Sequence, residues 1–347
     1  MPVDFREETL QSRIVEKQSS GEMGESTYAF KLRFDPLTGQ TCRLLDYRYR
    51  LPERQNLSDL AQTTSQSCPF CRPTVKQITP RFPSDIVPEG AIELGESFTF
   101  PNAKPYDVYS AITVISGDHF IALPNFTSEL IHTGLLASQD YLRRVGKVDS
   151  QAKYSSITWN YMPPSGGSVV HPHLQSNAGY LPTQYQKRIL ENAQRYHQEN
   201  GTNFWSDLIT QERELGERYI GSTGNIHWIA SFAPKALLVD VQAIFEGKAS
   251  ITDLSNEELK EFADGLLKVF RYMDESNLQS FNLSIYSGED ENNFWTHARV
   301  ISRSFYYYSP ITTSDRFFYH VLHDEEICTL PPENVCEDLR GIMFPSR

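Results

Sequence analysis

The sequence predicts an α+β fold made of two similar halves, residues 1–181 and 182–347. Two observations carry this prediction. Strand-like segments rich in β-branched and aromatic residues alternate with amphipathic helix-like segments, and the order of these segments in the first half partly recurs in the second. The repeat is one of architecture, because the two halves share no matching run of sequence letters.

The first half opens with a predicted hairpin. Residues 28–50 alternate apolar and polar positions on both sides of an Asp35-Pro-Leu-Thr-Gly39 turn signal, a pattern typical of two antiparallel strands. The strand after this turn is rich in arginine. Residues 52–67 are polar and are predicted to form a loop.

Further strands and one helix complete the first half. Residues 97–124 contain two predicted strands, the second ending near His119, and residues 127–146 form a predicted helix. Two more strands are predicted over 154–162 and 169–178, joined by a tight loop with two glycines.

The second half repeats this order. A charged, amphipathic stretch over 183–216 is predicted to be helical, and a second helix over 255–275 begins with a start signal at Ser255. Four strand-like segments accompany these helices, at 226–234, 236–243, 281–287 and 295–308.

Length and charge limit the possible functions. A chain of 347 residues can bury a core without disulfide support, and 32 Lys and Arg against 44 Asp and Glu give a net charge of −12. This charge argues against nucleic-acid polymers as partners. No stretch reaches the roughly 18 apolar residues of a membrane span, and the N-terminal residues carry no apolar signal region. We therefore expect a cytoplasmic protein with no membrane partner.

The densest chemical signal is His171-Pro-His173-Leu-Gln175. Residues two apart on a strand point to the same face, so one site can use both histidines and the glutamine. A neutral imidazole attacks phosphorus readily at pH 7, and the phosphoramidate that forms can pass its phosphoryl group to a second acceptor. A histidine of this motif, with His173 as the candidate, can therefore act as the nucleophile, and Gln175 can donate to a phosphoryl oxygen.

A glycine-containing loop lies just upstream. Its letters, Pro163-Pro-Ser-Gly166-Gly167-Ser168, supply backbone N–H groups and a hydroxyl, and such a concavity can hold a phosphate. The same letters also fit an ordinary β-turn with no ligand.

The cysteines suggest a metal site. Cys68 and Cys71 form a C-x-x-C pair, which together with His119 and His171 makes a four-ligand set suited to tetrahedral zinc with no open position. Such a site would be structural, and through His171 it would anchor the strand that carries His173. The alternative is two unpaired thiols and two histidines buried in a core.

Three polar residues are further candidates for substrate binding. Arg48 suits a phosphate clamp because a guanidinium matches phosphate oxygens with two donors, although a solvated arginine face explains it equally well. Asn102 could bind a ribose or base edge and Asn160 a phosphate, although a lone Asn in a turn is often structural.

Taken together, these motifs resemble the galactose-1-phosphate uridylyltransferase family of the histidine-triad superfamily. The resemblance covers most of the chain, and the matches keep the family's order. They are residues 34–40, residues 68–71, residues 116–124, Asn160 eleven residues before His171, and residues 171–175.

The resemblance implies two histidine-triad-like halves, each an antiparallel sheet with helices, and usually a homodimer whose sites are completed across the interface. It implies one structural zinc on Cys68, Cys71, His119 and His171 and a covalent nucleophile at His173. It also assigns phosphate contacts to Gln175, Ser168, Asn160 and Arg48, and a nucleoside contact to Asn102.

The C-terminal half departs from the family. Some relatives carry a second metal in a His-x-His pair, whereas this chain has His297 and Arg299, so we predict that the second site is absent. Arg316 keeps the basic start of the hexose-binding segment, but residues near Glu325 and Glu326 replace an amide. Galactose specificity is therefore in doubt.

Three functions fit the resemblance. The first is transfer of a nucleoside monophosphate, through a nucleotidyl-histidine, from a nucleotide sugar or related donor to a sugar 1-phosphate or phosphate. The second is phosphorolysis by an adenylyltransferase-like enzyme acting on ADP-glucose or a dinucleoside polyphosphate, which the segment beginning at Phe100 favours slightly. The third is a zinc-bearing nucleotide-binding module without catalysis, against which the intact His173 and Gln175 argue.

Overall fold

The computed structural model describes residues 3–308 and 311–345. Within these ranges the chain forms sixteen β-strands and eight α-helices, arranged in three sheets. The predicted α+β class is confirmed.

A four-stranded sheet forms at the N-terminus. Strands β1 (Glu7–Lys17) and β2 (Met23–Phe34) make a long antiparallel hairpin, and β2 turns at Asp35 into β3 (Thr41–Leu44). The Asp35 carboxylate accepts the backbone N–H groups of residues 37 and 38, which explains why the predicted hairpin turns at this position.

The central sheet has ten strands and is antiparallel throughout. In spatial order they are β4 (Ile92–Leu94), β5 (Ser97–Pro101), β6 (Tyr109–Val114), β8 (His173–Gly179), β7 (Tyr154–Tyr161), β12 (Ser280–Tyr286), β13 (His297–Arg303), β11 (Asp240–Phe245), β10 (Ile226–Ala230) and β9 (Tyr219–Thr223). Each half contributes five neighbouring strands, and β7 and β12 pair in the middle with Asn160 opposite Asn282. The expected pair of sheet-and-helix halves is present, joined edge to edge.

Three further short strands lie outside the central sheet. They are β14 (Phe305–Tyr308), β15 (Ile311–Ser314) and β16 (Glu326–Cys328). The first two form a hairpin, and β16 adds to the N-terminal sheet by pairing parallel with β3. The proposed limit between residues 181 and 182 falls between the end of β8 at Gly179 and the next helix, and as a domain boundary it stays a prediction.

Eight helices connect the strands. They are α1 (Ser58–Ser65), α2 (Thr74–Ile78), α3 (Ser128–Val148), α4 (Gln184–Asn200), α5 (Phe204–Leu215), α6 (Asn256–Glu275), α7 (Phe318–Leu322) and α8 (Pro332–Met343). The two long predicted helices, α3 and α6, are confirmed. Thr127 caps α3, and Ser255 forms a capping box with Glu258 on α6, so local signals in the sequence set their first turns.

The main core lies between α6, the segment that precedes α3, and one face of the central strands. There Phe126, Trp159, Phe270 and Phe281 pack with ring centroids 4.8 to 5.8 Å apart. Because successive side chains on a strand alternate between faces, the opposite face of β7 and β8 carries polar residues. This opposite face holds the candidate site.

Several predicted elements end or break elsewhere. The prediction of a long arginine-rich strand that includes Arg48 is wrong. The strand β3 ends at Leu44, and Arg48 lies in a 3-10 turn, Asp46–Arg48. The predicted loop over 52–67 contains α1. The second strand of the 97–124 region ends at Val114, and the helix predicted over 183–216 is two helices separated at Gly201, whose φ is +74°.

The strand predicted over 169–178 begins only at His173. His171 therefore precedes the strand, and its side chain need not point to the same face of the sheet as that of His173. This difference explains how two histidines two residues apart can serve two different sites.

Candidate active site

Four thiol and imidazole side chains meet at one point of the fold, as predicted. Cys68 and Cys71 come from the turn before α2, His119 from the loop after β6, and His171 from the segment before β8. The four ligand atoms lie within 4.8 Å of one another, and this is the one group of at least three His, Cys, Asp or Glu side chains with metal-binding geometry among the described residues.

Both histidines of this cluster are oriented by a second hydrogen bond. His171 Nδ1 lies 3.8 and 3.6 Å from the sulfurs of Cys68 and Cys71, and His119 Nδ1 lies 3.4 Å from Cys71 Sγ. The other ring nitrogens, Nε2, lie 2.8 Å from the Ser116 carbonyl and 2.9 Å from Thr64 Oγ1. With Nε2–H donating, each Nδ1 presents its lone pair to the cluster, which is the arrangement that a metal ligand requires.

His173 is held in one tautomer by its own backbone. Its Nδ1 lies 2.7 Å from the carbonyl oxygen of His171, so Nδ1 donates and Nε2 keeps its lone pair. The side chain is buried and makes a T-shaped contact with the Phe70 ring, and burial lowers the pKa of His173 below its usual value. The imidazole is therefore neutral at pH 7, as a phosphorus nucleophile must be.

Polar side chains of the same sheet face surround His173. Gln175 follows two residues later on β8, Thr158 lies opposite Gln175 on β7, and Asn160 lies two residues beyond Thr158. Asn102 sits farther along, where its amide contacts Ser110 Oγ at 3.4 Å and this hydroxyl contacts Asn177 of β8 at 2.8 Å. The structure thus brings Gln175, Asn160 and Asn102 to the face of the predicted nucleophile.

The predicted phosphate loop folds tightly under Asn160. Met162 and Gly166 have φ values of +67° and +86°, and the first of these is a strained conformation for a residue with a side chain. A Cβ on Gly167 would lie 3.0 Å from the carbonyl oxygen of Asn160, so a side chain at this position would force the backbone of β7 to shift by a few tenths of an ångström. Ser168 is exposed at the end of the loop.

Two residues predicted to bind substrate, Arg48 and Arg316, lie away from the sheet face that carries His173. Arg48 lines a cavity of about 330 Å³ together with Arg50 and Phe317, and none of the residues that line this cavity belongs to β7 or β8. Arg316 contacts Glu326, with 3.6 Å between Nη2 and Oε1. The charge of Glu326 therefore has a partner in Arg316.

Arg299 is committed to a buried ion pair. Its guanidinium contacts the Asp240 carboxylate at 2.7 Å and the Tyr185 hydroxyl at 3.2 Å. His297 nearby uses Nδ1 toward the carbonyl of Trp295 at 3.0 Å. The position where a second metal was considered thus holds an arginine–aspartate pair.

Burial of His297 makes the stability of the protein depend on pH. Burial lowers its pKa to about 4 from an ordinary value of 6.5, so between these values the unfolded chain binds a proton that the folded chain does not. As pH falls through this range, the free energy of unfolding should fall by about 1.4 kcal/mol per pH unit for this group. Denaturant titrations from pH 7 to pH 4 measure this slope. A His297→Gln variant should lack the contribution of His297 to this slope. Equal slopes in the variant and the wild type would contradict the prediction.

Two residues that contact the site were not predicted. Asn282 of β12 reaches the side chain of Asn160, and Thr64 of α1 holds the ring of His119. Both contacts join segments distant in sequence, and no local motif signals them. The pairing of the two halves through β7 and β12 is the only feature that could have indicated Asn282.

Comparison with known proteins gives one sequence relative and several structural ones. No family model matches the chain. A protein of Archaeoglobus fulgidus described only as uncharacterized is 31% identical over 342 residues, covering 98% of this chain and 99% of that one. None of the helices within residues 3–308 and 311–345 combines the length and apolar character needed to cross a membrane.

The structural relatives share the fold along nearly their whole length. An ADP-glucose phosphorylase of Arabidopsis thaliana, solved with bound ADP-glucose, matches with a TM-score of 0.67 at 16% identity, covering 89% of this chain and 98% of that one. A galt-like protein of the same plant matches with a TM-score of 0.65 at 16% identity, covering 89% and 98%. A mutant uridylyltransferase gives 0.65 at 15% identity, covering 90% and 97%.

Proposed function

This chain belongs to the same family as the Archaeoglobus fulgidus protein and has the fold of ADP-glucose phosphorylase and the uridylyltransferases, and on this basis we propose that it is a nucleotidyltransferase. It moves a nucleoside monophosphate between phosphate-bearing small molecules. The observation that carries the proposal is the neutral, oriented imidazole of His173 on a polar sheet face with Gln175 and Asn160.

In the first half-reaction, His173 Nε2 attacks the α-phosphorus of a nucleotide donor. The N–P bond forms, the bond from phosphorus to the bridging oxygen breaks, and the sugar 1-phosphate or related group leaves with the bond electrons. The ring becomes cationic, and the carbonyl of His171, 2.7 Å from Nδ1, stabilises the proton that Nδ1 keeps. The amides of Gln175 and Asn160 are candidates to donate to the non-bridging oxygens, where charge increases in the transition state.

In the second half-reaction, an acceptor phosphate oxygen attacks the same phosphorus. The N–P bond breaks, and His173 returns to its neutral form. A sugar 1-phosphate as acceptor yields a new nucleotide sugar, and inorganic phosphate yields a nucleoside diphosphate. Transfer and phosphorolysis thus share every residue of the first step and differ only in the acceptor.

We propose one structural zinc on Cys68, Cys71, His119 and His171. In a tetrahedral zinc site a thiolate sulfur and an imidazole nitrogen are expected to lie about 3.6 Å apart. The three such separations given above span 3.4 to 3.8 Å, so the residues fit the ion. Bound zinc would hold His171, and the carbonyl of His171 in turn orients His173.

A homodimer accounts for the residues that lie away from His173. Arg48, Arg316 and Phe317 are basic or aromatic, yet the Arg48 cavity shares no lining residue with β7 or β8. In a dimer, this surface of one protomer would complete the substrate site of its partner. A cytoplasmic location stays a prediction.

A substrate matrix tests the function and separates its two forms. ADP-glucose, UDP-glucose, GDP-mannose and diadenosine tetraphosphate are each incubated with phosphate or with several sugar 1-phosphates, and released nucleotides are separated by chromatography. We expect at least one donor to turn over only when an acceptor is present. Phosphate-dependent release of a nucleoside diphosphate would identify a phosphorylase. No exchange with any pair would favour the non-catalytic binding module.

Within this matrix we expect galactose 1-phosphate to be a poor acceptor. The reason is that residues near Glu325 and Glu326 replace the amide expected there, and a site built to hydrogen-bond particular hydroxyls can discriminate by about 10⁴-fold against a sugar that does not match them. Efficient turnover of UDP-glucose with galactose 1-phosphate would contradict this prediction.

A further inference from the structure

A chain of hydrogen bonds crosses from the second half of the protein to the site of His173. The Asp315 carboxylate holds the Arg303 guanidinium at 2.9 Å, and Arg303 Nη1 donates to Asn282 Oδ1 at 2.8 Å. Asn282 Nδ2 then donates to Asn160 Oδ1 at 2.6 Å and to the carbonyl of Ser165 at 2.9 Å. The chain therefore ends at a candidate phosphate ligand and at the phosphate loop.

The arginine determines the orientation of both amides. A guanidinium has donors only, so the atom of Asn282 that faces Arg303 must be the oxygen. The NH₂ group of Asn282 therefore faces Asn160. The Asn160 atom that accepts this hydrogen bond must be its amide oxygen. Asn160 is left with its NH₂ group unused, since no acceptor among the described residues contacts it.

The position of this unused donor matters. Asn160 lies on the polar face of β7, two residues beyond Thr158, and His173 lies two residues before Gln175 on the paired strand β8. The donor of Asn160 and the nucleophilic ring therefore occupy adjacent positions on one sheet face. An Asn160 amide turned by 180° would present its oxygen there, and that oxygen would repel a phosphoryl group.

We propose that Arg303 and Asn282 are positioning residues, which aim the Asn160 amide at the phosphoryl group carried by His173 and hold the loop at Ser165. This inference rests on the proposed function. Arg303 is nearly buried, with 14% of its side chain exposed, and its partner Asp315 is 5% exposed. Burying such an ion pair costs desolvation energy. We attribute its presence to the orientation that it imposes on the amides of Asn282 and Asn160.

The same series of hydrogen bonds also connects the site of His173 to a segment that is distant in sequence. Asp315 directly precedes Arg316 and Phe317, the segment expected to recognise the sugar. Arg303 lines a cavity of about 260 Å³ together with Pro163 and Pro164 of the phosphate loop. The second half thus supplies the orientation of a group that acts in the first half.

The decisive variant is Asn282→Asp. It keeps the shape of the side chain and can still accept from Arg303, but it cannot donate to Asn160 Oδ1. The Asn160 amide should then rotate, and the single-turnover rate of nucleotidyl-His173 formation should fall by about 100-fold, with little change in donor binding. An Asn160→Ala variant should lose a similar factor, and the double variant should lose no more than either alone, because both changes remove the same donor.

Two further variants separate positioning from folding. Arg303→Lys keeps a charged donor but not the fork that binds Asp315 and Asn282 together, so its rate should lie between those of the wild type and Arg303→Met, whereas Arg303→Met should behave like Asn282→Asp. The matched control is Asn192→Asp on α4, where the side chain likewise accepts from an arginine, Arg195. Thermal unfolding of each variant is recorded beside its rate.

The outcomes distinguish this inference from the function on which it rests. A wild-type chain that forms no adduct with any donor would overturn the proposed function and, with it, this inference. A wild-type adduct that forms equally fast in the Asn282→Asp and Arg303→Met variants would overturn this inference alone. Rate losses that follow the loss of melting temperature and add up in the double variant would show that Asn282 and Arg303 are merely structural.

Discussion

Replacing His173 with alanine is expected to lower turnover by at least about 10⁴-fold and to remove all covalent nucleotide from the chain. The Gln175 and Asn160 amides and the phosphate loop can still bind the donor in this variant, but no other imidazole among the described residues contacts the His171 carbonyl in its place. The substrate pair identified in the matrix gives the rate. Intact-protein mass spectrometry at neutral or basic pH detects the adduct, since a phosphoramidate is labile in acid.

The matched control for this experiment is His197→Ala on α4. This histidine contacts the carbonyl of Thr202 at 3.2 Å and takes no part in the proposed chemistry, so the variant should keep both adduct and turnover. An adduct that persists in the His173→Ala variant would assign the nucleophile to another residue. Wild-type turnover without any trappable adduct would instead favour direct transfer from donor to acceptor.

The second large effect is expected from removal of the metal. The wild-type protein, purified without chelator, should carry close to one zinc per chain, and Cys71→Ala should carry none. Because a bound metal stabilises only the folded chain, its loss should lower the free energy of unfolding by at least about 3 kcal/mol. Turnover should fall as well, since His171 both binds the metal and orients His173.

Metal analysis and thermal unfolding, each with and without chelator, measure these changes. Cys336→Ala serves as control, because Cys336 is a buried free thiol that lies outside the cluster of Cys68, Cys71, His119 and His171. It should keep its zinc. A Cys71→Ala variant with one zinc per chain would rule out the proposed ligand set, and two zinc ions in the wild type would reveal a second site that we predicted to be absent.

The parts of the fold with local signals could be predicted from the sequence. The helix α6 begins at its capping box, and the hairpin at Asp35 turns where a carboxylate accepts two backbone N–H groups. The metal cluster could be predicted as well, because a C-x-x-C pair combined with two histidines is a ligand set typical of tetrahedral zinc, although both histidines lie far from the pair in sequence. Its four members converge as expected.

The parts that depend on tertiary contacts could not be predicted. Polar residues over 52–67 suggest a loop, but α1 forms there with Leu57 and Leu60 packed against the main core and Thr64 bonded to His119. The alternation of apolar and polar residues over 28–50 predicts a strand that includes Arg48, yet the backbone pairing that defines β3 ends at Leu44. Asn282 contacts Asn160 across 122 residues of sequence, and only the assembled sheet brings the two amides together.

The pairing of β7 with β12 also governs when the protein can become active during its synthesis. As the chain leaves the ribosome, residues of β7, β8 and the metal cluster are available more than a hundred residues before their partner strand. Until β12 arrives, β7 is an open sheet edge, ready to pair with the wrong strand, and contacts this distant in sequence form slowly. Because Asn282 of β12 orients the Asn160 amide, this amide has no fixed orientation before the second half is made. A nascent first half therefore contains all four proposed metal ligands early, yet holds no oriented donor beside His173 until the chain is almost complete.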